Sequence, residues 1–226
     1  MSGDARPAIA VAIGAVRIGA SRPLAGTPHA SAIDKRPVDA RLWLGALGFA
    51  GDEQADARHH GGPDKAVHHY AYDHYPWWAG QIGARAVLAQ PGAFGENLST
   101  RGITEHDVCL GDVFTLGGAV LQVSQSRQPC WKLNARFDHP RMAALVQHSG
   151  RTGWYYRVLQ EGWVAAGDVL ALHARRYPQW PLSTVLDMAA LEALCDVPLL
   201  PPGWRAMLEK RRTERQVEDW TKRLDG

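Results

Sequence analysis

Apolar positions along this chain fall in short runs. Most are closed within a few residues by Gly, Pro, Asp or Asn. A period of two puts successive side chains on opposite faces of a strand. On that pattern Ala8–Ile18 predicts an opening strand, and Ser31–Ile33 and Arg41–Leu44 predict two short ones. Val108–Leu110, Val113–Leu116, Val120–Ser124, Trp154–Leu159 and Val164–Leu172 predict five more. Gly-Asp at 111–112, Gly-Gly at 117–118, Glu-Gly at 161–162 and Gly-Asp at 167–168 supply turns, and the second fits a two-residue hairpin loop. Asp73 is placed to cap a helix over His74–Val87, interrupted by Pro76 and Gly83, and Arg141–Gln147 predicts a short helix. Many short strands at close spacing predict a closed or nearly closed barrel.

After Tyr177-Pro-Gln-Trp-Pro181 the pattern changes. Leu186, Ala190, Ala193 and Leu194 share one helical face, behind Ser183 or Thr184 as a cap. Pro201-Pro202-Gly203 breaks the chain, and two further apolar stripes follow at helical spacing, Trp204 to Arg211 and Val217 to Leu224. The division predicted is a barrel domain over 1–177 and a three-helix segment over 182–226. The fold class is mainly β with peripheral helices, α+β overall.

Composition narrows the picture. The chain has 226 residues, 46% hydrophobic and 21% charged, enough for a packed core. A net charge of +2 with no clustered basic face argues against a nucleic-acid partner. Three cysteines stand far apart and form no Cys-x-x-Cys pair, which argues against a disulfide framework or a zinc ribbon. Ile9–Ala20 is broken by Gly14, Arg17 and Gly19, so neither a secretion signal nor a membrane span is predicted. The expectation is a cytoplasmic protein. Trp77, Trp78, Trp154 and Trp163 lie in polar company, which predicts packing under loops as much as in the core.

Three stretches carry chemistry. In Gln122-Val-Ser-Gln-Ser-Arg-Gln-Pro-Cys-Trp-Lys-Leu133 a strand gives way to a helix, and Pro129 prevents the ladder from continuing. Cys130 sits at the corner between Arg127 and Lys132, and cations favour the nucleophilic, metal-binding thiolate. Ser124 and Gln125 are too polar for a plain core strand. A lone cysteine is more often a buried hydrophobe, but this setting favours function.

The second stretch is His59-His-Gly-Gly-Pro-Asp-Lys-Ala-Val67. Its glycines allow close backbone approach, and Lys65 offers a point charge for phosphate, although the spacing is not that of a Walker loop. Histidines at 59, 60, 68, 69 and 74 lack the spacing of a zinc site, and a ligand hydrogen bond from His60 or His69 is the better expectation. In the third, Phe94-Gly-Glu-Asn-Leu98, Asn97 either reads a heterocycle edge or braces its own loop with Glu96.

Taken in order, His60-Gly-Gly-Pro-Asp-Lys-Ala-Val67, Gly92-x-Phe-Gly-Glu-Asn-Leu98, Gly111-Asp112 and Leu121-Gln-Val-Ser-Gln-x-Arg-x-Pro-Cys-x-Lys-Leu133 resemble the MOSC family, named for the C-terminal domain of molybdenum cofactor sulfurase. The branch it is most similar to is the YiiM-like proteins, described as conferring resistance to 6-hydroxylaminopurine. Ser126 and Ala71 depart from that branch, which commonly has proline at both places. The resemblance implies a MOSC-type β-barrel followed by three helices. It also implies a pterin-based molybdenum cofactor (molybdopterin) with Cys130 as the protein ligand to molybdenum. Lys65 and Arg127 would bind cofactor phosphate or pterin, with His60, Asn97, Gln125 and Ser124 as further contacts. The implied activity is reduction of N-hydroxylated small molecules such as hydroxylamino purines. No flavin, haem or iron–sulfur motif is present, so electrons would come from a separate reductase or ferredoxin-like protein. Two other readings stay open: a persulfide sulfur carrier using Cys130, and a cofactor-binding protein without turnover.

Overall fold

The computed structural model describes residues 9–55 and 61–184. Fourteen strands occur among them, most of two to five residues. They are β1 Ala10–Ala12, β2 Val16–Ile18, β3 Arg22–Pro23, β4 Ala30–Ser31, β5 Arg36–Val38, β6 Leu42–Gly45, β7 Gly48–Phe49, β8 Val67–Ala71, β9 Leu98–Thr100, β10 Val113–Leu116, β11 Ala119–Ser126, β12 Trp154–Gln160, β13 Gly162–Val164 and β14 Val169–Ala174. Three α-helices join them: α1 His74–Ile82, α2 Lys132–Phe137 and α3 Met142–Ser149.

Seven strands form the main sheet in the order β1-β14-β10-β11-β12-β8-β9. Every pair in it is antiparallel except β8 with β9. The two edges face each other, since residues of β1 (Val11, Ala12) and β9 (Ser99, Thr100) line one shallow cleft. The sheet is therefore curled into a nearly closed barrel, as the strand spacing predicts. Its interior is filled by Val67, Leu98, Phe114, Leu121, Val123, Trp154, Tyr156 and Leu170. A second apolar cluster lies outside the barrel wall, where α1, α2, α3 and the 92–96 loop pack Trp78, Phe94, Leu133, Phe137, Met142 and Val146 around Tyr70.

Strand β8 is the wall between the two clusters, and all five of its residues are buried. Val67 belongs to the barrel interior and Tyr70 to the outer cluster. Burial on both faces erases the alternation that would announce a strand, which is why Val67–Ala71 does not read as one from sequence.

Other differences have local causes. The predicted strand 8–18 divides at Gly14 into β1 and β2, which pair in different sheets. The predicted strand 164–172 divides where Ala165 N–H donates to Asp168 Oδ2 at 2.8 Å in a turn closed by Gly167. Residues 108–110 form only a single bridge, Cys109 to Pro181. Asp73 makes no side-chain cap for α1 and instead accepts from Gly102 N–H at 2.9 Å. The Gly-Gly hairpin is as expected, with Leu116 opposite Ala119. Trp78 and Trp154 are fully buried, whereas Trp163 is 47% exposed and packs edge-on against Trp43.

Leu182 is buried in the barrel core, and its N–H donates to Val108 O at 2.8 Å. The barrel core thus includes this residue. The helices predicted beyond Thr184 lie outside the described residues.

Candidate functional site

Strand β11 ends as its sequence predicts. Ser126 pairs with Trp154, Arg127 N–H reaches Gly153 O at 2.9 Å, and the ladder stops before Pro129. Cys130 follows on the loop, and its carbonyl accepts from Leu133 N–H at 3.0 Å at the start of α2. Its side chain is largely enclosed (7% exposed) but reaches a cleft of about 610 Å³, counted out to the open mouth.

The cleft collects charge from four stretches of chain. Lys35, Lys65, Arg127 and Lys132 line it, against the carboxylates of Asp52 and Glu53. Both carboxylates are already engaged: Asp52 with Lys35, Gly19 N–H and Asn97 Nδ2, and Glu53 with Ser21 N–H. Burial pushes the Lys35 ammonium below the usual lysine pKa, and its Asp52 partner opposes that shift. Arg127 is 6% exposed, and its Nη1 has no hydrogen-bond partner among the described residues. A buried guanidinium nitrogen left unsatisfied is costly, so an anionic or acceptor-rich ligand matches it. Lys35, Asp52, His68 and Tyr155 belong to this site and carry no sequence signal that links them to Cys130.

Other predicted site residues act from behind the wall. Ser124 Oγ and Gln125 Nε2 both donate to Asp64 O, at 2.6 and 3.1 Å, and neither lines the cleft. Arg157 Nε grips the Asp64 carboxylate at 2.8 Å. Together they fix the 3-10 turn Pro63–Lys65 and so aim Lys65. Ser124 does this from an irregularity in the ladder between Val123 and Gln125, of the kind that re-aims side chains beside functional sites. In this structure both side chains brace the turn that carries Lys65.

Asn97 lines the cleft, but its amide is committed. Nδ2 donates to Arg17 O and Asp52 Oδ2 at 2.9 and 2.8 Å, and Oδ1 accepts from His68 N–H at 3.0 Å. In this structure it braces Arg17, Asp52 and His68. His69 is likewise engaged inside the barrel by Tyr156 and Thr100, and His74 pairs with Glu105 at 2.7 Å. His60 lies outside the described residues. Among the described residues no group of three or more His, Cys, Asp or Glu side chains converges to hold a metal ion.

Glu96 organises the loop whose Phe94 and Gly95 form one side of the cleft. It is fully buried and accepts from Tyr75 Oη at 2.5 Å, Gly92 N–H at 2.6 Å and Phe94 N–H at 3.0 Å. Glu96→Gln exchanges an acceptor oxygen for a donor facing donors. It is expected to cost about 2–4 kcal/mol, read as a lower urea midpoint, with weaker ligand binding because the cleft wall loosens.

The profile of the MOSC domain matches residues 56–171. The chain is 42% identical over 207 residues to Protein YiiM of Escherichia coli (strain K12), covering 87% of this chain and 91% of that one. The crystal structure of YiiM from Escherichia coli superposes with a TM-score of 0.77, covering 96% of this chain and all of that one. A protein named Reductase from Gibberella moniliformis is 43% identical over 156 residues, which are 69% of this chain but 28% of that longer protein.

Proposed function

The chain belongs to the MOSC domain family, and on that premise we propose that it is a molybdenum-cofactor-dependent reductase of N-hydroxylated compounds such as hydroxylamino purines. The observation that carries this reading is the pairing of Cys130 with the unsatisfied Arg127 in one cationic cleft. The described residues offer a single sulfur there and no multi-residue metal cage. A soft metal that arrives with sulfur ligands of its own needs just one further thiolate from the protein. The cations suit the phosphate of such a cofactor.

Bound there, the cofactor would supply a metal able to accept oxygen from an N–OH group and to exchange two electrons. The chain would do the rest. Cys130 would hold the metal. Lys65, set by Ser124, Gln125 and Arg157, would neutralise anionic oxygens together with Arg127. Phe94 and Tyr155 would exclude water from the walls. The overall change takes one N–OH group, two electrons and two protons to N–H and water. The electrons would come from a separate reductase or ferredoxin-like protein. The relative named Reductase supports a redox role, and the relation to YiiM supports this branch of the family. Among the described residues no helix is long and apolar enough to cross a membrane.

The test is expression in a host that makes the cofactor, followed by elemental analysis and an assay with 6-hydroxylaminopurine and a chemical reductant. Near-stoichiometric molybdenum and formation of adenine are expected. Protein that is folded, free of molybdenum and inert would reject the reading.

A further inference from the structure

The hairpin of β3 and β4 leaves the barrel beside the cleft. Its strands pair with each other and with no third strand, Arg22 opposite Ser31 and Pro23 opposite Ala30. A two-stranded ribbon is marginal by itself, so what it leans on decides where it stands. Its tip is a closed turn. Leu24 N–H donates to His29 O at 2.8 Å, and Thr27 donates to Leu24 O from its N–H at 3.1 Å and its Oγ1 at 3.0 Å. The base is anchored on the cleft wall. Gly19 N–H donates to Asp52 Oδ1 at 2.8 Å, Glu53 N–H to Gly19 O at 2.8 Å, and Ser21 N–H to Glu53 Oε2 at 2.7 Å. The outgoing and returning legs cross closely there. A Cβ on Gly19 would stand 2.3 Å from Ala32 O, so the crossing requires glycine.

Beyond that base, one ring contact reaches across to the rest of the chain. The exposed His29 packs edge-on against the half-buried Trp131, with centroids 5.2 Å apart and planes at 60°. Both partners border the cleft. Ser31, two residues after His29 and so on the same face of the extended leg, lines it together with Ala32 and Ile33. Cys130 and Lys132, on either side of Trp131 in the chain, line it from another stretch. The contact therefore joins two rims of the cleft next to the sulfur. We propose that the β3–β4 hairpin is a gate to the cleft, pivoting at the Gly19–Ala32 crossing and latched beside Cys130 by His29 on Trp131. Latched, it narrows the approach to the sulfur. Released, it admits a ligand with the bulk of a fused-ring cofactor. An edge-on aromatic pair suits a latch, being strong enough to hold a marginal hairpin and weak enough to open without unfolding the barrel.

The inference rests on the cleft of the proposed function, but its test needs neither metal nor turnover. Cofactor-free protein is alkylated with two thiol reagents, iodoacetamide and a fluorescein maleimide. Mass spectrometry of the peptide that carries Cys130 gives the rate for each, apart from the other cysteines. The small reagent reports the reactivity of the sulfur, and the bulky one reports the width of its approach. In His29→Ala the maleimide is expected to react about three- to tenfold faster, the shift that one aromatic pair can hold. The iodoacetamide rate should stay as in the wild type.

A second variant separates the latch from a general loosening. His29→Phe keeps a ring for Trp131 and should return the maleimide rate to that of the wild type. Both substitutions fall on an exposed side chain and leave the backbone bonds of the tip in place, so the fold is retained. A maleimide rate unchanged in His29→Ala overturns the inference. So does a rise shared equally by both reagents, which marks an altered sulfur and not a wider approach. A His29→Phe protein as fast as His29→Ala overturns it as well. If molybdenum loads and hydroxylamino substrates are reduced while the rates stay equal, the gate falls and the proposed function stands. A selective rise in protein that never takes up molybdenum keeps the gate and rejects the function.

Discussion

Cys130→Ala protein is expected to purify folded, without molybdenum, and with reduction of hydroxylamino substrates lowered on the order of a thousandfold or more, as when the group that holds the reacting atom is removed. The fold should survive because the corner is held by its backbone. Leu133 N–H bonds to the Cys130 carbonyl, Arg127 N–H to Gly153 O, and α2 packs through Leu133 and Phe137. Deleting one sulfur from a site that opens into a cleft costs roughly 1 kcal/mol, toward the lower end for a lost buried group. Circular dichroism and the urea midpoint check the fold, and elemental analysis checks the metal. Full metal occupancy in the variant would remove Cys130 from the ligand role. Cys109 provides the control. It is buried in the barrel, where its N–H donates to Asp112 Oδ2 at 2.8 Å, and Cys109→Ala should retain the metal.

Acid is expected to unfold the protein through its buried histidines. His69 lies in the barrel interior between Tyr156 Oη at 3.1 Å and Thr100 Oγ1 at 2.8 Å, and burial holds its pKa down at about 3. His68 is pushed well below the usual histidine range, first by burial and then by the Arg127 charge. In the unfolded chain both titrate near the ordinary value of about 6.5. Below that pH the unfolded state binds protons that the native state refuses, so stability present at neutral pH falls as pH drops toward 3. For His69 alone the loss is about 2 kcal/mol at pH 5 and about 4 kcal/mol at pH 3.5. His68 adds in the same direction, and whole domains have only about 5–15 kcal/mol to lose. Urea midpoints measured from pH 7.5 to 4 should fall steeply. His69→Gln keeps a polar group for Tyr156 or Thr100 but cannot bind a proton, and its midpoint should fall less over the same range. Parallel declines in the two proteins would show that the acid sensitivity lies elsewhere.

Much of the barrel was legible because it is built from local pairing. The strands over 113–116, 119–126 and 154–160, the Gly-Gly hairpin and the corner at Pro129-Cys130 each declare themselves through alternation or turn chemistry in a few consecutive residues. The motifs also pointed to Cys130, Arg127 and Lys65 before any geometry was known, since a cysteine between cations and a lysine behind paired glycines are chemically unusual where they stand. Strand β8 was not legible, being buried on both faces. Nor was the division of labour around the cleft. Asn97, Ser124 and Gln125 have side chains suited to a ligand, and their bracing of Lys65, Asp52 and His68 shows only in the folded chain.

Sequence alone determined the strand-rich architecture, the family resemblance and the choice of Cys130 as candidate sulfur, because each rests on neighbours within short segments. The tertiary structure decided which cations surround that sulfur and which polar atoms are left unfilled. Lys35 and Asp52 arrive from loops about eighty residues or more from Cys130, and His68 from a strand buried on both faces. Whether a polar atom is satisfied is a property of a pair in space, and the chain does not bring those pairs together until the barrel has closed.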